Sequence, residues 1–199
     1  MIKDQNSSFK LSFTSLALGL QESNTALALF RKTGSWDQAA RLAVKENALQ
    51  KNNSASTRRV FSEIRQRLQT LDEDTLNDFL DANSDDRKAI LLIAACKCYP
   101  FLFEFIRTTL ADKYAVFDYR VGKGDFDTYW NRSSLEHPSL EEVSDSTRLK
   151  IRQVTFRLLA EAGLLSSTKD PQITPIQLSF MMVTILDREG NLYCQAFLN

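Results

Sequence analysis

The stretch AILLIAACKCYPFLFEFI, Ala89 to Ile106, limits the fold more than any other part of the chain, because a segment this apolar must be covered. Lys97, Pro100 and Glu104 interrupt it, and its longest unbroken run falls far short of the roughly 20 residues with which a helix spans a bilayer. Proline removes a backbone donor, and its ring collides with the preceding helical turn. The segment therefore reads as two apolar core helices, Arg87 to Tyr99 and Phe101 to Tyr114, bent at Pro100, and not as a membrane anchor. The chain has only six glycines and four prolines among 199 residues. So few tight-turn positions favour helices over hairpins, and the length suits one domain or two small ones.

Helical signals recur along the chain. SNTALALFRK (Ser23 to Lys32) has helical apolar spacing and stops at Thr33-Gly34, where Gly34 is free to take a left-handed cap. Ser35 opens SWDQAARLAVKEN, with Trp36, Ala39, Ala40 and Val44 on one side and Asp37 in the favourable first turn. A polar turn, Lys51 to Ser56, leads into a Ser/Thr-started basic helix, the element order of a helix-turn-helix unit. A short acidic helix is expected over Glu73 to Leu80, followed by a loop, DANSDD. Asp118 to Asp145, with Gly122, Gly124 and Pro138, is the least regular stretch, and Phe126, Tyr129 and Trp130 suggest that it is packed down. A further helix runs from Ser146 to about Ala162 and stops at Gly163, and the last one starts near Ile176. The expected fold is mostly α: a helical bundle with an N-terminal helix-turn-helix-like unit (residues 1–117) and a C-terminal winged-helix-like unit (residues 118–199) packed against it.

The formal charge is zero, 25 bases against 25 acids, but the charges are segregated. Lys51 to Leu68 holds five bases and one acid, and Gln69 to Asp86 holds seven acids and no base; Ser134 to Asp145 and Arg148 to Arg157 repeat the alternation with four acids and then four bases. Local fields decide what a surface attracts. Both basic clusters sit on one repeated motif, SASTRRVFSEIRQRL (Ser54 to Leu68) and SDSTRLKIRQVTFRL (Ser144 to Leu158). At ~100° per residue, Val60, Phe61, Ile64, Leu68 and Leu71 share one face of the first helix, while Arg58, Arg59, Ser62, Arg65, Gln66 and Gln69 share the other. Arginine, glutamine and serine are the side chains that base edges and phosphates require. At the helix start, Ser54, Ser56 and Thr57 either leave N–H groups free for a phosphate or supply an N-cap. The second helix has two apolar stripes, Ile151, Val154 and Leu158 on one flank and Leu149, Phe156, Leu159 and Ala160 on the other. A narrow open strip, Arg148, Arg152 and Thr155, lies between them, with Lys150 and Arg157 elsewhere on the circumference. The candidate nucleic-acid contacts are thus Arg58, Arg59, Ser62, Arg65, Gln66, Gln69, Arg148, Lys150 and Arg152.

Catalysis finds little footing. Asp125 with Asp127, or Asp85 with Asp86, lacks the third carboxylate or lysine of a Mg²⁺ array, and His137 has no evident nucleophile to serve. VGKGD (Val121 to Asp125) lacks the spacing of a phosphate-binding loop. Cys96, Cys98 and Cys194 read as small buried or half-buried residues of a reducing cytosol, since a Cys-x-Cys pair is a poor zinc set. No metal, cofactor or enzymatic activity is expected, and the N-terminus MIKDQNSSFKLSF lacks a signal peptide's apolar run.

Six ordered motifs carry a resemblance. FTSLALGLQES, the run from Trp36 to Lys51, STRRVFSEIRQRLQTL, CKCYPFLFEFIRTTLADK, DFDTYW and STRLKIRQVTFRLLAEAGLL resemble the BrxA family of BREX phage-exclusion systems over nearly the whole chain. The resemblance implies a cytosolic, non-catalytic protein that binds double-stranded DNA beside other BREX components. It also carries a likeness in fold to the RNA-binding antitermination factor NusB. RNA binding would call for exposed aromatics, with Tyr119, Phe126, Tyr129 and Trp130 as candidates. A third expectation is a protein adapter that docks BREX partners on its acidic stretch, Asp72 to Asp86, or on the basic helices. Oligomeric state is not legible in the sequence.

Overall fold

The computed structural model describes residues 11–198; most of the stretch MIKDQNSSFKLSF, on which the signal-peptide expectation rests, lies outside that range. At its centre is α5 (Ser84–Cys98), whose Ile90, Leu91, Leu92, Ile93, Ala94 and Ala95 are buried on every side. Tyr99 leaves helical geometry, as a residue before proline should, and α6 (Pro100–Glu104) sets off at 112° to α5. It continues through a π-helical stretch, Phe105–Leu110, into α7 (Ala111–Ala115). Among the described residues no single helix is long and apolar enough to cross a membrane.

Three helices form the N-terminal layer: α1 (Leu20–Thr33), α2 (Trp36–Lys45) and α3 (Ser54–Leu68). Gly34 ends α1 at φ 67°, and the Ser35 side chain then accepts from Gln38 N–H to start α2. The α2–α3 connection, residues 46–53, is longer than the three- or four-residue turn of a helix-turn-helix. The expected unit is therefore a three-helix layer and lacks that compact turn. α4 (Glu73–Asp81) is capped by Asp72. The DANSDD segment is shorter as a loop than expected, because Asn83 caps α5 through Asp85 and Asp86 N–H.

The stretch read as least regular holds a 14-residue helix, α8 (Lys123–Glu136). Its buried residues Phe126, Tyr129, Trp130 and Ser133 follow the i, i+3, i+4, i+7 spacing of a core face; the flanking glycines masked that signal. Phe126, Tyr129 and Trp130 surround Phe101 at 4.9–6.0 Å between ring centroids, and Tyr129 donates to Phe101 C=O at 2.8 Å. Phe156 of α9 (Asp145–Ala162) closes the cluster against Phe105 and Phe126. Full burial of each phenylalanine is worth about 1.5–3 kcal/mol. Residues from both sides of position 117 thus share one core.

Gly163 stops α9 at φ 89°, as expected. Beyond it the winged-helix expectation meets a physical limit: among the described residues there is no strand, only the isolated antiparallel bridges Arg120 with Gln172 and Leu165 with Ile173. Residues 172–174 do pair on both sides, Ser166 N–H with Gln172 C=O, Thr174 N–H with Leu164 C=O and Ile173 N–H with Tyr119 C=O, but each pairing ends after a single bridge and no strand forms. α10 (Phe180–Glu189) starts four residues later than expected, with Ser179 as its cap, and a 3₁₀ turn, Asn191–Phe197, follows.

Candidate nucleic-acid interface

α3 is set by its inner face. Val60, Phe61, Ile64 and Leu68 are buried, as is Leu71 just beyond the helix, so the opposite face must point outward. Neither Ser54 nor Ser56 caps it. The Asn53 side chain accepts from Ser56 N–H at 2.8 Å, and the buried Thr57 hydroxyl donates back to Asn53 C=O at 3.2 Å.

On the outer face Arg58, Arg59, Ser62, Gln66 and Gln69 are exposed, and neither Arg58 nor Arg59 makes an ion pair among the described residues. Gln66 donates to Ser62 Oγ at 3.4 Å. Arg65 is half-exposed: its Nη1 meets Asp37 Oδ1 at 2.6 Å and its Nε meets Gln69 Oε1 at 3.3 Å. An ion pair this exposed is worth about 0–1 kcal/mol, so Arg65 is available to exchange Asp37 for a stronger anion. All six candidates on α3 therefore share one surface.

α9 differs. Asp127 of α8 holds both arginines, Arg148 Nη2 at 3.1 Å and Arg152 Nη1 at 3.0 Å, and Arg148 also reaches Asn131 Oδ1 at 3.2 Å with its guanidinium over Trp130. Thr155 is fully buried. The open strip expected on this helix is thus covered, because α8, missed in the sequence, lies across it. Lys150 is exposed, and so is Leu149, which was expected on a packed flank.

The repeat is resolved by these differences. Arg58 is exposed, whereas its counterpart Arg148 is clamped; Arg157 is exposed, whereas its counterpart Arg67 is buried. Arg67 bonds Glu63 Oε1 through Nε and Nη2 at 3.1 and 2.9 Å. It also donates to the carbonyls of Leu16 (2.9 Å) and Ala17. Tyr99 donates to the same Glu63 oxygen beneath the guanidinium. Burial, and then the Glu63 carboxylate, push the Tyr99 phenol far above its ordinary value. One arginine of the motif therefore ties α3 to the N-terminal segment and α5, and offers nothing to solvent.

The acidic stretch is largely engaged within the molecule. Glu73 pairs with Arg31 and Asp78 with Arg188. Burial works to raise Asp72, but the cap bonds from Thr75 outweigh it and hold its carboxyl low. Of the aromatics considered for stacking, Phe126, Tyr129 and Trp130 are buried, and only Tyr119 is exposed. Cys96 and Cys98 are buried and Cys194 half-buried.

One basic cluster escaped the sequence. Arg120, Lys123, Arg152, Arg157 and Lys169 come from three separate segments and line a cleft of about 500 Å³. Arg152 and Arg157 belong to the second basic run and Lys123 to VGKGD, but nothing in the linear pattern joins them to Arg120 and Lys169.

The BrxA family's sequence profile matches residues 7–190. The chain is 25% identical to the BREX protein BrxA of Bacillus cereus (strain H3081.97) over 85% of this chain and 84% of that one. It is 24% identical to BREX protein BrxA of Escherichia coli O9:H4 (strain HS), over 74% and 69%. A crystal structure of an uncharacterized protein from Magnetospirillum magneticum superposes with a TM-score of 0.85 at 21% identity, covering 97% of this chain and 99% of that one; it shares the fold.

Proposed function

The chain belongs to the BrxA family, and from that premise we propose that it is a non-catalytic, cytoplasmic, double-stranded-DNA-binding component of a BREX phage-defence system. Its phosphate-contacting surface is the outer face of α3, with Lys150 of α9 as an outlying contact and Arg148 and Arg152 engaged only if they leave Asp127. The observation that carries this is the pair Arg58 and Arg59, exposed and without a carboxylate partner among the described residues, beside Ser62, Gln66 and Gln69. Arginine forks match phosphate oxygens in pairs, and glutamine and serine add base-edge or backbone bonds.

Fluorescence anisotropy with a labelled mixed-sequence duplex tests it. Arg58→Glu with Arg59→Glu is expected to weaken binding by at least about tenfold, because two charge-assisted bonds are lost and two repulsions gained. The fold should survive, since both sites are exposed. Unchanged affinity would remove α3 as the contact face.

A second reading, an adapter between BREX components, is favoured by α10, which exposes Phe180 (89%) and Val183 one turn apart. Phe180→Ser would abolish co-purification with other BREX proteins after nuclease treatment while leaving duplex affinity unchanged. The RNA reading loses its ground with three of its four aromatics buried.

A further inference from the structure

At the end of α7 the chain does something costly. Asp118 N–H bonds Lys113 C=O and Phe117 N–H bonds Tyr114 C=O, a helix-ending turn whose left-handed residue is Phe117 at φ 62°. Glycine is the residue that takes this conformation without strain. A phenylalanine here is 78% exposed, beside Val116 at 71%. Among the described residues its aromatic neighbour is Tyr119, met edge-on at 6.4 Å between centroids. The position thus combines backbone strain with an unburied apolar side chain. Strain of this kind gathers at functional sites, which points to a role outside the fold.

The surroundings indicate what it meets. Three residues on, Arg120 opens the basic cleft, with Lys123 at the start of α8 and Lys169 from the facing loop. Arg120 pairs loosely with Asp170 at 3.2 Å, both well exposed; Arg152 is held by Asp127 and Arg157 by Glu161. Lys123 and Lys169 are exposed and make no ion pair among the described residues, so the cleft keeps a positive surplus. An apolar prong three residues from a cation-lined cleft is complementary to a base stack beside its phosphates. Duplex-bending proteins use this arrangement when a side chain enters a base step.

We propose that Val116 and Phe117 form a wedge that inserts between base pairs of a bound duplex, with Arg120, Lys123 and Lys169 holding the adjoining phosphates. This rests on the duplex-binding reading above and adds a second contact surface to it, one that deforms the DNA.

The test uses the full chain and duplexes carrying 2-aminopurine, whose emission rises on unstacking, at successive positions. Wild type is expected to raise the emission at some positions. Phe117→Gly abolishes the rise and weakens binding about tenfold, the scale of one base–aromatic stack, while its melting temperature stays level or increases because glycine relieves the turn. Lys123→Glu with Lys169→Glu weakens binding while leaving the melting temperature unchanged. Duplex binding by wild type without a rise, or a rise that persists in Phe117→Gly, overturns the wedge and leaves the α3 face standing. Absence of duplex binding by wild type overturns both. A concentration-dependent dimer that Phe117→Gly dissolves, with no rise in emission, assigns the prong to a second copy and overturns the wedge.

Discussion

Arg67→Met separates the structural arginine of the repeat from the exposed ones. The substitution keeps much of the aliphatic volume but removes the guanidinium. Glu63 is left buried with the Tyr99 hydroxyl as its remaining partner, and the Leu16 and Ala17 carbonyls lose their donor. Removing one partner of a buried pair costs about 3–5 kcal/mol, because the other charge stays desolvated. For a chain of this size each kcal/mol moves the melting temperature by roughly 2–4 °C, so a fall of about 6–20 °C is expected. The control is the matching arginine of the other copy. Arg157 is 70% exposed at its side chain and pairs with Glu161 along the helix, so Arg157→Met should cost under about 1 kcal/mol. Adding Glu63→Gln to Arg67→Met should recover part of the loss, since the uncompensated charge is gone. Thermal melting by circular dichroism reads all three. Equal shifts for Arg67→Met and Arg157→Met would refute the claim that the copies have diverged in role.

Burial and the Glu63 carboxylate raise the Tyr99 phenol, and burial raises that of Tyr129. Both groups stay neutral in the folded state while the unfolded chain ionises. Their contribution is therefore complete below the ordinary value of 10.0 and is lost as pH climbs above it; urea midpoints from pH 8 to 11 should fall in the upper part, and Tyr129→Phe should flatten the fall. Asp127→Asn removes the anion shared by Arg148 and Arg152, so it should tighten duplex binding in an anisotropy titration and lower the melting temperature by no more than a few degrees. Gly163→Ala forces a Cβ into the left-handed region at φ 89° and should cost about 1 kcal/mol in a denaturant titration.

Where side-chain pattern alone dictates burial, the sequence was a good guide. The kink at Pro100, the glycine caps at Gly34 and Gly163, and the inner and outer faces of α3 all follow from local sterics or from 3.6-residue periodicity. What it hid depended on neighbours far away in the chain. Arg67 and Arg58 look alike in the motif, and only the carbonyls of Leu16 and Ala17 and the ring of Tyr99 make one of them a core residue. Arg148 and Arg152 seemed open until α8 brought Asp127 over them. That helix was hidden because glycines at its start outweighed an aromatic spacing that was there to be read. The cleft cations lie on segments up to 49 residues apart, Arg120 to Lys169, and no linear pattern joins them.

The salt dependence of duplex affinity tests the central claim most directly. Each phosphate contact releases counterions and steepens the plot of log affinity against log salt by about 0.9. If Arg58 and Arg59 each hold a phosphate, Arg58→Ala with Arg59→Ala should flatten the slope by about 1.8 and weaken binding alike on duplexes of different sequence. A slope identical to that of wild type would mean that α3 faces solvent without touching DNA.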